Sequence, residues 1–486
     1  MASRRPKSEM ILTTRRLFVS IFFLALVALA ARNITDPDFG WHFRTGELIL
    51  STLSIPSTDS FSFTAGGVSR VNHDWLSDVL IFALFKLGGI GALVIFFALA
   101  AAAALALVYA RCEGKPYLAA FLILLAALTM APFWGTRPQT LSLLFASIFL
   151  YILDRYMYLP AGRQLLWLVP LTLVWANAHG SFILGPIFIS VYFVASVAEN
   201  VLRWNDQALP RWENAVQLFG VFLLCLAVIA LNPHGLKLYL YPFQTLTSPT
   251  IQTFIQEWQS PDFSSTAVQP FIWFLVATIG TLALSRRRTR LAEALLLAGL
   301  TYASLRAARQ ISIWALVAAP MLAASASDLL ESLSRKLNRS PVRNPTRALQ
   351  ILNWVVLVVV AVAVAARFGT VIMDESIAER AYFPVDAVNY IQAQNLSGPI
   401  FNSYNWGGYL IWRVYPRQRV FIDGRSDLYG LTDDSIVREY LEAYTGGENW
   451  RAPLDRYGVK VVLVEPGAPI VGKLAQDAAW RQVYED

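Results

Sequence analysis

Within thirteen residues, DPDFGWHFRTGEL, the chain places Asp36, Asp38, His42 and Glu47 directly after its first apolar run. A carboxylate within about 3 Å of a hydroxyl or amide can take its proton as that group attacks an electrophile, so a general base is the first chemistry this cluster offers. Asp36 precedes a proline, which disfavours helical backbone at Asp36 itself. Asp38 follows the proline and can open a helix, where a carboxylate also serves as a cap. Asp36 is therefore expected to act as base, with Asp38 orienting the acceptor or sharing a metal and Asp74 as the next choice. Two apart on one edge of an extended segment, Asp36 and Asp38 are also the expected ligands of a divalent cation, helped by His42 or Asp74. Oxygen-rich ligation suits magnesium or manganese, and a histidine admits zinc.

A transfer that leaves a phosphate behind also needs cations. Arg306 and Arg309, in LRAAR, share one face if the helix runs that far. The guanidinium fork suits phosphate oxygens. Arg137 in GTRPQ, His179 in WANAHG, His234 in NPHG, Glu257 in EWQSPD, and His42 and His73 complete the set expected to bind substrate. Each has a plain alternative: arginines near lipid snorkel to headgroups, and Asn-Pro or Asp-Pro starts turns. Their clustering argues otherwise, because ionisable residues are costly near a membrane and this chain spends few of them.

The elements that must position them are apolar. The chain has 486 residues, 56% hydrophobic and only 15% charged, which defines an α-helical polytopic membrane protein. Eleven spans are expected, near 15–32, 88–110, 116–133, 138–153, 163–178, 181–199, 215–231, 270–285, 290–305, 310–326 and 349–367. Trp75 to Gly89 reads as an interfacial lead-in to the second. Alternate connecting segments carry half of the 40 Lys and Arg residues, including SRRRTR and RKLNRSPVRNPTR. The positive-inside rule then puts the N-terminus in the cytoplasm and the C-terminal domain outside, as in a multi-pass protein of the inner (plasma) membrane. All four histidines fall on the outer face. The net charge of +7 is thus a topology signal and gives no reason to expect nucleic acid. Cys112 and Cys225 fall in different compartments, so no disulfide framework is expected.

The first outer loop, 33–74, runs from DPD to the His73–Asp74 pair through a polar, turn-rich middle, and helices at both ends let its acidic clusters face each other. With the transmembrane domain at 1–372, composition changes near Met373 to that of an extracytoplasmic α/β domain, 373–486. PVDAVNYIQAQ and DDSIVREYLEAYTG read as helices; GPIFN, QRVFIDGR and VKVVLVEPG read as strands, and WRQVYED as the start of another. Gly407 and Gly408 allow a close backbone approach. Tyr404, Trp406, Tyr409 and Trp412 suit either a core seam or stacking on sugar rings, and Asp423 and Arg425 are placed to pair.

A chain of about eleven spans with an Asp-rich first outer loop and a terminal outer domain resembles the GT-C class of membrane glycosyltransferases. DPDFGWHFRTGELI, HDWLSD, TRPQ, WANAHG and NPHG, with YNWGGYLIW and VFIDGRSDLYG, are similar to a bacterial set of GT-C-like proteins of the cell envelope. The resemblance implies a donor sugar on a polyprenyl phosphate, a first-loop acid as base or metal ligand, and a glycan, lipid or protein acceptor on the extracytoplasmic face. DPD differs from the Asp-Glu pair of the better understood families, and no WWD-type motif is present. Two alternatives stand beside it: a ligase of lipid-linked glycan polymers, and a transporter. A transporter is expected to use broken helices and mid-membrane charges, often with internal repeats.

Overall fold

The computed structural model describes residues 12–158, 163–202, 212–334, 346–430 and 435–486. Its first fourteen α-helices are α1 (Thr14–Ala30), α2 (Phe39–Thr52), α3 (Trp75–Arg111), α4 (Pro116–Met130), α5 (Pro138–Tyr158), α6 (Leu168–Ala178), α7 (Leu184–Leu202), α8 (Trp212–Ile229), α9 (Lys237–Thr247), α10 (Pro249–Phe254), α11 (Gln269–Leu284), α12 (Leu291–Arg306), α13 (Ile311–Ser334) and α14 (Arg347–Met373). Each of the eleven expected apolar stretches is helical. Among the described residues, seven helical stretches, those of α3, α4, α5, α7, α8, α13 and α14, are long and apolar enough to cross a membrane. The stretches of α6 and α11 are shorter apolar helices, and α1 and α12 have 17 and 16 residues. The eleven expected spans are thus eleven helical stretches, seven of them long and apolar enough to cross on their own. Residues 1–11, 159–162, 203–211 and 335–345, which carry much of the basic sequence behind the expected orientation, lie outside the described residues.

In lipid, helices associate through close packing of small side chains. The alanine-rich stretch of α3 supplies that surface: Ala98, Ala101, Ala102 and Ala104 are buried in the same core as Ala146 of α5 and Ala126 of α4. Within this core α13 is buried without interruption from Ile311 to Ser325, whereas almost none of the apolar stretch of α14 is covered. The bundle also breaks where the sequence predicts a lead-in: Gly88 and Gly89 leave helical geometry inside α3, Gly89 at φ +60°, a conformation open to glycine at little cost.

Beyond α14 the C-terminal domain continues with α15 (Glu375–Tyr382), α16 (Val385–Ala393), strand β1 (Ile400–Asn402), α17 (Gly407–Val414), three short helices, strand β2 (Val461–Leu463) and a last short helix. The strands pair in parallel, Ile400 opposite Val461 and Asn402 opposite Leu463. Val420 bridges to Ile400 on one side and to Ser62 of the first loop on the other. Phe63 N–H donates to Val420 O at 3.1 Å, and Val420 N–H to Phe61 O at 3.1 Å. The first loop thus adds an edge to the C-terminal sheet. WRQVYED forms no strand; its Tyr484 ring instead lies 4.9 Å from that of Tyr390.

Candidate functional site

The acid turn is built by its own backbone. Asp36 Oδ1 accepts from the Asp38 N–H at 2.8 Å, closing a turn across Pro37. α2 then starts at Phe39, and Asp38 occupies its N-cap position without capping it; the carboxylate instead accepts from the Trp41 indole N–H at 3.1 Å. Two close approaches hold α2. A Cβ added to Gly46 would lie 2.1 Å from the Asp78 carbonyl oxygen of α3, and one added to Gly40 would lie 2.0 Å from that of Gly408. Gly408 in turn abuts the Pro37 carbonyl, and a Cβ on Gly424 would meet Asp38 Oδ1 at 1.6 Å. Bare backbone of the C-terminal domain therefore seals the DPD turn. This enclosure pushes the Asp38 carboxyl up to about 6, through burial first and the neighbouring Asp36 second.

Arg137, immediately before α5, joins the turn to a second region. Its Nε lies 2.7 Å from Asp36 Oδ2, and its Nη1 donates to Glu257 Oε1 at 2.9 Å. Arg137, Glu257, Arg309 and His179 line one cavity. Arg309 lies 4.4 Å from the centre of the Trp258 ring. His179 Nδ1 takes hydrogen bonds from the Ser181 N–H at 3.2 Å and from the Ser142 hydroxyl at 2.8 Å, which leaves the ring proton on Nε2. Asp36 itself lines a different cleft, with Glu375, Glu379, Phe383, Tyr409 and Trp412. The Asp36–Arg137 pair thus bridges an acidic cleft and a cationic cavity.

Other expected residues stand behind these walls. His42 Nδ1 lies 2.6 Å from Asp78 Oδ1, with both side chains buried. His73 Nε2 lies 3.1 Å from Asp74 Oδ2, and its ring packs on Tyr241 at 4.1 Å. Burial acts to raise the Asp74 carboxyl, yet His73, helped by His179 and His42, holds it well below the usual carboxylate range. His234 Nε2 accepts from the Asn72 N–H at 2.9 Å and so pins the end of the first loop. Glu47 pairs with Arg44 at 2.5 Å.

One expectation changes and two alternatives are decided. Arg306 and Arg309 do not share a helical face: α12 ends at Arg306, Ala307 is extended, and Arg309 sits in a separate 3-10 turn, Ala308–Gln310. Capping by Asp38 gives way to its bond with Trp41. The aromatic set of the C-terminal domain is packing surface: Tyr409 stacks on Phe383 at 4.8 Å and Trp412 meets Phe39 edge-on at 5.6 Å. As a metal pair, Asp36 and Asp38 face a competitor, since Arg137 stands where a cation on Asp36 Oδ2 would sit. Among the described residues no group of three or more His, Cys, Asp or Glu side chains is gathered as metal ligands. Asp78 was passed over, although HDWLSD places it four residues after Asp74, on the same helical face.

The bundle, the helix laid across its end by the first loop and the terminal α/β domain together make the GT-C fold. Among solved structures the chain is similar to the archaeal oligosaccharyltransferase AglB from Archaeoglobus fulgidus, in complex with an inhibitory peptide and a dolichol-phosphate. That match has a TM-score of 0.55 and 12% identity, covering 92% of this chain and 69% of that one. The apo form of the Archaeoglobus fulgidus oligosaccharyltransferase matches with a TM-score of 0.51 and 13% identity, over 93% and 69% of the two chains. At such identities the likeness is one of fold. Neither family models nor curated proteins give a match.

Proposed function

We propose that the chain is an integral-membrane glycosyltransferase that moves a sugar or glycan from a polyprenyl-phosphate donor to an acceptor, on the membrane face that carries the C-terminal domain. The observation that supports this most is the Asp36–Arg137 contact of 2.7 Å, which sets a carboxylate of one cleft against a cation of the adjoining cavity. The dolichol-phosphate in the AglB structure fits a lipid-phosphate donor here.

The donor phosphate lies in the cavity of Arg137 and Arg309, with His179 Nε2–H as a further donor, and the acceptor lies in the cleft beside Asp36. The acceptor oxygen or nitrogen attacks the anomeric carbon from the side opposite the phosphate. Its proton passes to Asp36 while the carbon–oxygen bond to phosphate breaks and the bonding pair leaves on the phosphate. Arg137 and Arg309 meet that developing charge, as preorganised cations do best in a water-poor site.

The test is the full chain in nanodiscs with radiolabelled polyprenyl-phosphate and polyprenyl-diphosphate sugars. Label should leave the lipid, and the Asp36→Asn variant should release almost none. Label that stays on the lipid with both donors, across sugar and acceptor panels, would remove the enzyme reading.

A further inference from the structure

The cleft beside Asp36 differs from the arginine cavity in charge and in position. Its ionisable lining residues are acids, Asp36, Glu375 and Glu379, and its walls are Ile34, Phe39, Ile90, Phe383 and Trp412. It sits where three helices end or break: Ile34 follows the end of α1, Ile90 follows the Gly88–Gly89 break in α3, and Glu375 follows the end of α14. α3 and α14 touch just below, where a Cβ on Gly91 would lie 3.2 Å from Ile372 Cδ1. Around this point the exposed residues are apolar. Leu87, Met373 and Ile377 are 83%, 78% and 66% exposed, each within four residues of a lining residue. Two of the helices that meet here, α3 and α14, are of membrane-spanning length. An apolar rim of this kind suits contact with acyl chains.

From this we infer that the acceptor is itself a membrane amphiphile: it enters the Asp36 cleft sideways from the bilayer between α3 and α15, presenting an uncharged or amino-bearing polar head and an apolar body. The inference rests on the glycosyltransferase reading for the word acceptor. The binding claim stands on the cleft alone. The lining decides the head: among the described residues no Lys or Arg lines the cleft to hold a phosphate, which goes to Arg137 and Arg309, and the three carboxylates, two of them already paired with Arg137 and Arg413, accept hydrogen bonds from hydroxyl or ammonium groups. Glu379 already accepts from the Tyr409 hydroxyl and from Arg413, each at 2.8 Å. Glu375 is held by the Ile34 N–H and by Asn33. Both walls are therefore rigid before any head arrives. The aromatic rings beside them supply the amphipathic contact that suits the boundary between a sugar-like head and a chain.

The experiment uses the full chain in nanodiscs of zwitterionic lipid. The probe is dodecyl β-glucoside carrying a diazirine near the head, compared with a water-soluble methyl glucoside diazirine, and the crosslinked residues are mapped by mass spectrometry. Saturable labelling by the dodecyl probe is expected on 87–92 and 375–383, competed by excess unlabelled dodecyl glucoside. The Ile90→Trp variant, which fills the cleft, should lose about tenfold of that label, the scale of one misfitting side chain. Its labelling at 355–362, on the lipid face of α14, should not change. Leu87→Glu, at an exposed rim position that folding does not depend on, should lose cleft label in the same way. Equal labelling of the cleft by the methyl probe would overturn the inference. So would dodecyl labelling that ignores both variants and spreads over α14. Transfer failing while cleft labelling behaves as expected would count against the proposed function alone.

Discussion

The bundle carries a cluster of charge at each end, one buried and one partly exposed, and they are built differently. At the end away from the C-terminal domain, Arg111 Nε lies 2.6 Å from Asp154 and its Nη1 donates to the Leu316 carbonyl at 2.7 Å. Glu113 takes both Arg287 and Arg290, at 3.0 and 2.8 Å. That cluster alternates in sign and closes on itself. At the other end opposite charges also pair, Asp36 with Arg137 and Arg137 with Glu257, but like charges lie together as well: Asp38 beside Asp36, and Arg137 and Arg309 around one cavity. A structure that needed only to be stable would separate such pairs. Charge at a membrane end is therefore no mark of function by itself; what marks it is like charges held side by side around space.

The sharpest way to break this comparison is Asp36→Asn. Loss of a general base costs about a hundredfold or more in turnover, with donor binding and thermal stability close to wild type. If the variant keeps more than a tenth of the turnover and Asp74→Asn is inactive, the base belongs at the far end of the loop. Next, Arg309→Ala should raise the apparent KM for donor about tenfold or more and Arg309→Lys much less, since a charge-assisted phosphate contact is worth about 1.5–3 kcal/mol. Unchanged donor kinetics would make Arg309 a lipid-interface residue. Arg111→Met should act the other way. Turnover per folded molecule should stay within about twofold of wild type. Stability should fall by about 3 kcal/mol, because Asp154 is left without its partner; thermal unfolding and active-site titration read the two separately.

The smallest effect concerns pH. The Asp38 carboxyl, ordinarily near 3.8, rises to about 6 in the folded protein. Between those values the folded state holds the proton that the unfolded state has lost, so stability falls as pH rises through the window. Asp38→Asn should therefore melt higher than wild type at pH 7.5 and lose that advantage by pH 4. A melting difference that does not vary with pH would show that the carboxylate is not held in the enclosed form described.

Much of the membrane part was legible because its signals are local. Hydropathy finds the helices, and the lead-in expected from Trp75 to Gly89 ends at the break in α3. The acid turn was visible as DPD, and the pairing of Asp423 with Arg425 as a short-range possibility, now seen with Nη2 to Asp423 Oδ2 at 2.7 Å. What was hidden depends on contacts hundreds of residues apart. Nothing near Asp36 announces Arg137, and nothing near Asp59 announces that Arg425 will lie 2.5 Å from it. Periodicity could place Arg306 and Arg309 on one face only by assuming that α12 continued, and one extended residue, Ala307, ends it. Asp38 looked like a cap because composition favours one there; the indole of Trp41, one turn on, competes better for the carboxylate.

The glycines that press on the DPD turn set an order of events in the making of the protein. The turn is synthesised near the start of the chain, whereas Gly408 and Gly424, whose backbone closes over Pro37 and Asp38, are synthesised after every long apolar helix. A nascent chain with all those helices in place still lacks the wall of its acid site. The wall is thus added well after the turn it closes, so a chain stalled between the two leaves Pro37 and Asp38 uncovered.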